Sequence, residues 1–222
     1  MRTLITGIGE LVSGDIEAPL VDGDSISIID GRIKAVGRGL GDDADVVIDA
    51  KGSTVMPGLI DSHAHPVVGD FTPRQRTLDF IESSLHGGVT TMVSAGEPHL
   101  PGRPKDVVGL KALAIAIARA YATFRPAGVK VRAGAPILEQ GLVEVDFAEM
   151  AAGGVKLIGE IGLGSVKTGA DAAPMVAWGR AHGMVSTFHT GGPSIPGSNA
   201  IGTALVPREG QISTSSPAKN RL

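Results

Sequence analysis

The sequence contains no cysteine, which excludes disulfide bonds and thiolate ligands for a metal ion. Aromatic residues make up only 3% of the chain, too few for a surface that stacks nucleic acid bases. The formal net charge is −3, and the basic residues form no run along the sequence. The composition therefore favours neither a nucleic acid nor a membrane surface as a partner, and it leaves histidine and carboxylate side chains as the available metal ligands.

Long hydrophobic runs are also missing from the sequence. The N-terminal stretch, residues 1–15, carries Gly, Glu and Asp where a signal peptide requires an apolar core. The longest apolar helical pattern, residues 107–122, is interrupted by Gly109, Lys111 and Arg119, and it is too short to span a bilayer. We therefore expect a soluble, cytoplasmic protein without a membrane partner.

Residues 1–54 consist of short runs rich in β-branched residues and contain no long helical pattern. Asp30-Gly31 stands between the apolar runs SISII and RIKAVG, which is the sequence signature of a β-hairpin. The sequence therefore predicts a small N-terminal β domain over residues 1–54.

From Val55 onward, apolar strand patterns alternate with helical patterns five times. Such alternation is typical of parallel strands flanked by helices, and the almost continuous apolar character of the strands fits burial on both faces. We predict an α/β fold, an incomplete TIM-like (β/α) barrel of about five βα units over residues 55–192. Residues 193–222 are rich in Pro, Ser, Gly and Asn, and we expect them to be irregular, as an out-of-frame tail would be.

Two of the six histidines stand one residue apart in MPGLIDSHAHP, residues 56–66. At this spacing on a strand, His63 and His65 point to the same side. Glu160 and His189 come late in the fourth and fifth predicted strands, and the carboxyl ends of barrel strands form the active-site face. Together these residues predict a divalent metal site at that face, whereas the alternative is a pair of ordinary loop histidines beside a buried glutamate.

The segment IIDGRIKAVG…VIDAKGSTVMPGLIDSHAHP, residues 28–66, resembles the opening part of the amidohydrolase superfamily. The shared order is a small β domain, a Pro-Gly-φ-φ-Asp strand and then His-x-His. Later segments, among them GEIGLG and HTGGPSIPGS, extend the resemblance to about residue 198, and within the superfamily they look most like enamidases. The resemblance implies a small-molecule cyclic amide or enamide as the substrate, whose C–N bond is hydrolysed by a metal-activated water.

The resemblance also implies how the predicted ligands share two divalent metal ions, zinc or iron. His63 and His65 would bind the more buried ion, and His189 would bind the second ion. Glu160 would bridge the two, a position that a carbamylated lysine fills in many relatives. Lys156 shares the parity of Glu160 along the strand but lies about 13 Å below it, so Glu160 is the better match.

Arg74, Arg103 and His99 are the candidates for contact with the substrate. The two arginines offer positive charge to an anionic ring, and His99 lies in the loop after the second barrel strand. That loop belongs to the predicted active-site face, although a plain surface loop is an equally good interpretation for His99.

The catalytic proton shuttle is unknown from this sequence. Members of the superfamily complete the site with a strand-six histidine and a strand-eight aspartate, and residues 190–222 contain neither residue type. We therefore expect a chain truncated after about residue 198 that is inactive as written and poorly soluble or self-associating. The full-length parent enzyme is expected to be a homo-oligomer.

Other functions remain open at the level of sequence. Cyclic amidases of the dihydroorotase or hydantoinase type and metal-dependent deaminases are alternative enzymes for this ligand pattern. A non-catalytic protein, either a truncated remnant or an interaction module that keeps the fold, is the alternative of another class.

Overall fold

The computed structural model describes residues 1–41, 43–66, 77–96 and 102–189. The chain divides into two compact units, Met1–Gly58 and Leu59–Leu222. The predicted irregular segment 193–222 and the candidate substrate contacts Arg74 and His99 lie outside the described residues.

The N-terminal unit is built from β-strands in two small sheets. Its strands are β1 (Arg2–Thr6), β2 (Glu10–Val12), β3 (Leu20–Val21), β4 (Ser25–Ile29), β5 (Arg32–Gly37), β6 (Val46–Asp49) and β7 (Thr54–Val55). One sheet has the order β5-β4-β1-β6, in which β1 runs antiparallel to β4 and parallel to β6. The other sheet has the order β3-β2-β7.

The β4–β5 hairpin turns at Asp30 and Gly31, the dipeptide that predicts it in the sequence. Both residues have positive φ, 49° and 76°, which a tight two-residue hairpin turn requires. The buried centre of this unit is formed by Ile8, Leu11 and Ile26. Local turn chemistry and a small apolar cluster therefore define the unit.

The described part of the second unit alternates five strands with four helices. The strands are β8 (Leu59–Ala64), β9 (Val89–Ser94), β10 (Lys130–Arg132), β11 (Leu157–Ile161) and β12 (Val185–Phe188). The helices between them are α1 (Thr77–His86), α2 (Val107–Thr123), α3 (Glu144–Ala152) and α4 (Gly169–Ala181). The α/β alternation predicted from the sequence is present in the structure.

The strand pairs of this unit are parallel, and they form two sheets of order β10-β9-β8 and β11-β12. Two backbone hydrogen bonds join these sheets. Gly159 N donates to Pro136 O at 2.9 Å, and Glu160 N donates to Ala95 O at 2.5 Å. Since Ala95 directly follows β9, the carboxyl ends of β9 and β11 lie side by side.

Two strands differ from the sequence prediction. The apolar pattern predicts a first strand that ends before the histidines, whereas β8 continues to Ala64 and includes His63. The apolar run VKVRAGAPIL, residues 129–138, predicts one long strand, but only the three residues of β10 are extended. Gly134 has a φ of 82°, and a Cβ atom there would lie 2.5 Å from the Ala114 carbonyl oxygen, so a close approach to α2 ends the extended run.

Side-chain caps define where two of the helices begin. Asp106 Oδ1 accepts a hydrogen bond from Gly109 N at 2.8 Å at the start of α2. Thr168 Oγ1 accepts one from Asp171 N at 3.1 Å at the start of α4. Each cap satisfies a backbone N–H that has no partner within its helix.

The main apolar core of this unit lies between α2, α3, α4 and the sheet β11-β12. Phe147 and Ile158 are fully buried at its centre. The ring of Trp178, the one tryptophan of the chain, packs 5.9 Å from the ring of Phe147. None of the described helices combines the length and the apolar character that crossing a membrane requires.

Candidate metal centre

The four predicted metal ligands lie at the carboxyl ends of three strands. His63 is in β8, and His65 follows two residues later. Glu160 is in β11, and His189 directly follows β12. His189 N donates to the Ile161 carbonyl at 3.0 Å, which extends the β11-β12 ladder up to the ligand itself. The strands therefore bring residues from distant parts of the sequence to one edge.

Glu160 is at the centre of the group, with a buried side chain. Its Oε1 lies 3.3 Å from His63 Nε2 and 3.4 Å from His189 Nδ1. Its Oε2 lies 3.5 Å from His65 Nε2. The ligand atoms of His63, His65 and Glu160 are all within 4.8 Å of one another. One carboxylate is thus surrounded by three imidazoles.

The imidazole of His65 is oriented by a backbone carbonyl. Its Nδ1 lies 3.1 Å from Gly96 O, which assigns the proton to Nδ1 and leaves the Nε2 lone pair facing Glu160. His63 Nδ1 and His189 Nε2 are buried and have no hydrogen-bond partner within the described part of the chain. Buried polar atoms without a partner are uncommon, and each of these two nitrogens is the one on its ring that does not face Glu160.

The residues present fit a divalent metal ion. Metal–nitrogen bonds of about 2.0–2.1 Å in a tetrahedral site place neighbouring ligand atoms about 3.3–3.4 Å apart. The distances between the Glu160 oxygens and the three imidazoles are 3.3, 3.4 and 3.5 Å, which is close to that spacing. Imidazoles with one carboxylate suit zinc, iron and other divalent transition ions.

Two residues that shape this site carry no motif in the sequence. Gly96 has a φ of 132°, and a Cβ atom there would lie 2.5 Å from Ile137 Cδ1, so only glycine fits where the carbonyl reaches His65. Thr187 is buried, and its hydroxyl lies 3.2 Å from Ile158 O and 3.4 Å from Ala95 O. A glycine directly after a predicted strand is the available signal for Gly96, whereas nothing in the sequence marks Thr187.

Arg103, a predicted substrate contact, is engaged with other protein groups. Its Nη2 donates to Glu139 Oε1 at 2.8 Å, and its Nη1 donates to Pro104 O at 3.5 Å. Glu139 Oε2 accepts a further hydrogen bond from Ser165 N at 2.7 Å. The guanidinium is therefore part of a buried network between loops, and its contact with a substrate stays a prediction.

Known proteins resemble this chain over most of its length. The chain is 56% identical to enamidase of Eubacterium barkeri over 203 residues, which are 90% of this chain and 53% of enamidase. It also matches the crystal structure of enamidase, described as a new member of the amidohydrolase superfamily. That match has a TM-score of 0.84 and 55% identity, and it covers 90% of this chain and 53% of the other. Over nine tenths of its length, this chain is therefore similar to a member of the amidohydrolase superfamily.

The resemblance to amidohydrolases seen in the sequence is thereby confirmed, and this family is enzymatic. A further relative is the allantoinase of Escherichia coli O1:K1 / APEC, 36% identical over 85 residues, which are 38% of this chain and 18% of the allantoinase. No protein-family model matches the chain. The chain spans about half the length of enamidase.

Proposed function

We propose that this chain is part of an enzyme that hydrolyses the C–N bond of a cyclic amide or enamide with the help of two divalent metal ions. The observation that carries the proposal is the single buried carboxylate of Glu160, which three imidazoles approach at 3.3–3.5 Å at the carboxyl ends of parallel strands. We take β8 to β12 as the first strands of a TIM-like barrel, in which that end is the active-site face. The identity to enamidase supports the choice of substrate class.

Four side chains and one backbone carbonyl would together position the two ions. Glu160 Oε1 lies near His63 and His189, and Oε2 lies near His65, so these four side chains would hold the ions, with both oxygens of the carboxylate available to them. Gly96 O holds the proton of His65 on Nδ1 and so keeps its Nε2 available. When bound, divalent ions in such a site lower the pKa of a water molecule and polarise the carbonyl that is attacked.

The substrate that we propose is a six-membered cyclic enamide with a ring carboxylate, such as tetrahydro-oxonicotinate. The second candidate is another cyclic amidase activity, and the match to allantoinase over 85 residues is the observation that favours it. The two candidates differ in the ring that is opened rather than in the metal chemistry.

The test compares the 222-residue chain with a hybrid whose residues after 198 are replaced by the second half of enamidase. Both are loaded with zinc or iron(II), and ring opening is followed by the loss of enamide absorbance. We expect metal-dependent turnover by the hybrid, lost in Glu160→Gln and His65→Ala and kept in His86→Ala, whose side chain is exposed on α1. The unmodified chain, assayed in parallel, tests the expectation from the sequence that it is inactive.

The assay separates the possible outcomes. Turnover that survives Glu160→Gln or a chelator would contradict the proposed metal role. Hydrolysis of allantoin or hydantoin, with none of tetrahydro-oxonicotinate, would assign the second candidate. A hybrid that binds metal but opens none of these rings would reject hydrolysis of cyclic amides.

A further inference from the structure

A groove lined by none of the four candidate metal ligands lies along β10 and beside the amino ends of β11 and β12. This groove has a volume of about 490 Å³. Lys130 is the first residue of β10, Lys156 directly precedes β11, and Gly183 lies just before β12, and all three line it. The groove therefore runs along β10 and past the amino ends of β11 and β12, whereas Glu160 and His189 are at the carboxyl ends of β11 and β12.

Four basic side chains line this groove: those of Arg125, Lys130, Arg132 and Lys156. No aspartate or glutamate among the described residues lines it. The chain as a whole has a formal net charge of −3, so the positive charge of the groove is a local feature. A concave surface lined by one sign of charge focuses its field and attracts ions of opposite charge.

The four basic side chains also lack partners. Within the described part of the chain, none of them makes a hydrogen bond or an ion pair through its side chain. Other basic residues do have partners, since Arg38, Arg103 and Lys111 each pair with a carboxylate. Among the described residues, the groove thus gathers four exposed cations that have no counter-charge.

The remaining wall of the groove is largely apolar. Val93, Leu157 and Val185 contribute aliphatic surface, and Tyr121 contributes an aromatic ring. Pockets for small molecules are typically about 300–1,000 Å³ and combine such walls with a few charged groups. The volume of the groove, its positive charge and its apolar wall together fit a small organic anion rather than a bare inorganic ion.

We propose that this groove binds a small molecule that carries two or more phosphate or carboxylate groups attached to an apolar or planar ring. The arginines and lysines contact the anionic groups, for which guanidinium and ammonium are the usual donors. The ring lies against Tyr121 and the aliphatic wall. This site is separate from the metal centre and does not depend on the proposed hydrolase activity.

The probes are ADP and inorganic pyrophosphate, titrated into the full 222-residue chain in metal-free buffer at physiological salt and followed by calorimetry. We expect saturable binding with one molecule per chain. ADP should bind at least threefold more tightly than pyrophosphate, because both carry a diphosphate and only ADP has a ring. Substitution of Lys130→Gln together with Arg132→Gln should weaken ADP binding by about tenfold or more, and Lys156→Gln alone should weaken it severalfold.

Lys105→Gln is the matched control, since it removes the same charge from an exposed position outside the groove. Its effect should be less than twofold. Emission from Trp178 and metal binding at the other end of the strands report whether each variant is folded. Absence of saturable binding, or equal weakening by Lys105→Gln, would overturn the proposal. Tighter binding of an acidic peptide than of ADP would also reject it in favour of a macromolecular partner.

Discussion

At the scale of single residues, the candidate metal centre depends on backbone groups as much as on its ligands. Ala95 O accepts the hydrogen bond from Glu160 N, and Gly96 O accepts the one from His65 Nδ1. Two consecutive carbonyls after β9 therefore orient the central carboxylate and one imidazole. Gly96 can fill this position because its φ of 132° is rarely adopted by residues with a side chain.

Gly96→Ala should weaken metal binding although it removes no functional group. The new methyl group would lie 2.5 Å from Ile137 Cδ1 and 3.3 Å from Gly159 Cα, and a φ of 132° is strained for alanine, so we expect the backbone to shift and carry Gly96 O away from His65. We expect about a tenfold to hundredfold loss of zinc affinity, as for other groups that orient a metal ligand. Competition with a chromophoric chelator measures it.

Gly154→Ala is the control for backbone strain. Gly154 also has a positive φ, 101°, but a Cβ atom there would have nothing within 4 Å. Both variants should lose stability by about 1–3 kcal/mol, whereas zinc affinity should fall only in Gly96→Ala. Equal losses of zinc affinity in the two variants would show that Gly96 has no specific effect on His65.

The four candidate ligands could be selected from the sequence because their residue types and positions are both unusual. His63 and His65 stand two apart at the end of β8, Glu160 lies near the end of β11, and His189 follows β12. Gly96 and Thr187 could not be predicted in the same way. A carbonyl acceptor exists at every residue, and only the fold determines which one faces an imidazole.

At the scale of elements, one buried ionic network joins the segments that follow three strands. Arg103 precedes α2, Glu139 follows β10, and Ser165 follows β11. Burial by itself raises the pKa of Glu139, but the hydrogen bonds from Ser165 and the ion pair with Arg103 outweigh it and leave the pKa below its ordinary value. The carboxylate is thus held ionised between loops that follow the carboxyl ends of the strands.

Glu139→Gln should destabilise the protein by about 3 kcal/mol at neutral pH, because it leaves the largely buried Arg103 without its carboxylate. The pKa of Glu139 is lower in the folded state than in the unfolded chain, where it is about 4.3. The stability that ionised Glu139 contributes to the folded protein is therefore complete above the pKa of the unfolded chain. It is lost as the pH falls through the pKa that Glu139 has in the folded protein. The difference in the free energy of unfolding between the unsubstituted protein and Glu139→Gln should stay constant from neutral pH to about pH 5 and shrink below about pH 4.

Urea unfolding followed by the emission of Trp178 measures this difference at each pH. Glu82→Gln is the control, since Glu82 is exposed on α1, and its effect should stay within about 0.5 kcal/mol at every pH. A difference for Glu139→Gln that does not change with pH would show that the charge of Glu139 contributes nothing.

The elements themselves were largely predictable, with exceptions that have physical causes. Helix α2 follows from its capping residue Asp106 and a long apolar pattern, and the β4–β5 hairpin follows from Asp30-Gly31. The shortness of β10 was not predictable, because it results from the approach of Gly134 to α2. The Arg103–Glu139 ion pair also could not be predicted from the sequence, since its residues are 36 positions apart.

At the scale of the whole molecule, a free strand edge is expected to determine whether the chain self-associates in solution. Within the described residues, β6 pairs on one side only, with β1. Its residues Val46, Val47 and Ile48 expose 42%, 57% and 47% of their surface. Asp45 and Asp49 flank this run, but no charged residue or proline interrupts it. An apolar edge strand of this kind is a template for pairing with another chain.

We therefore expect the chain to self-associate through β6 and expect Val47→Lys to reduce that association. A lysine in an edge strand repels a second copy and leaves the pairing with β1 in place, since the pairing uses backbone groups. Sedimentation velocity over a wide concentration range measures the effect. Val108→Lys adds the same charge at a residue of α2 that is 74% exposed, away from any strand edge. If Val108→Lys reduced association as much as Val47→Lys, net charge rather than the edge of β6 would control it, and a chain that is monomeric at all concentrations would contradict the prediction outright.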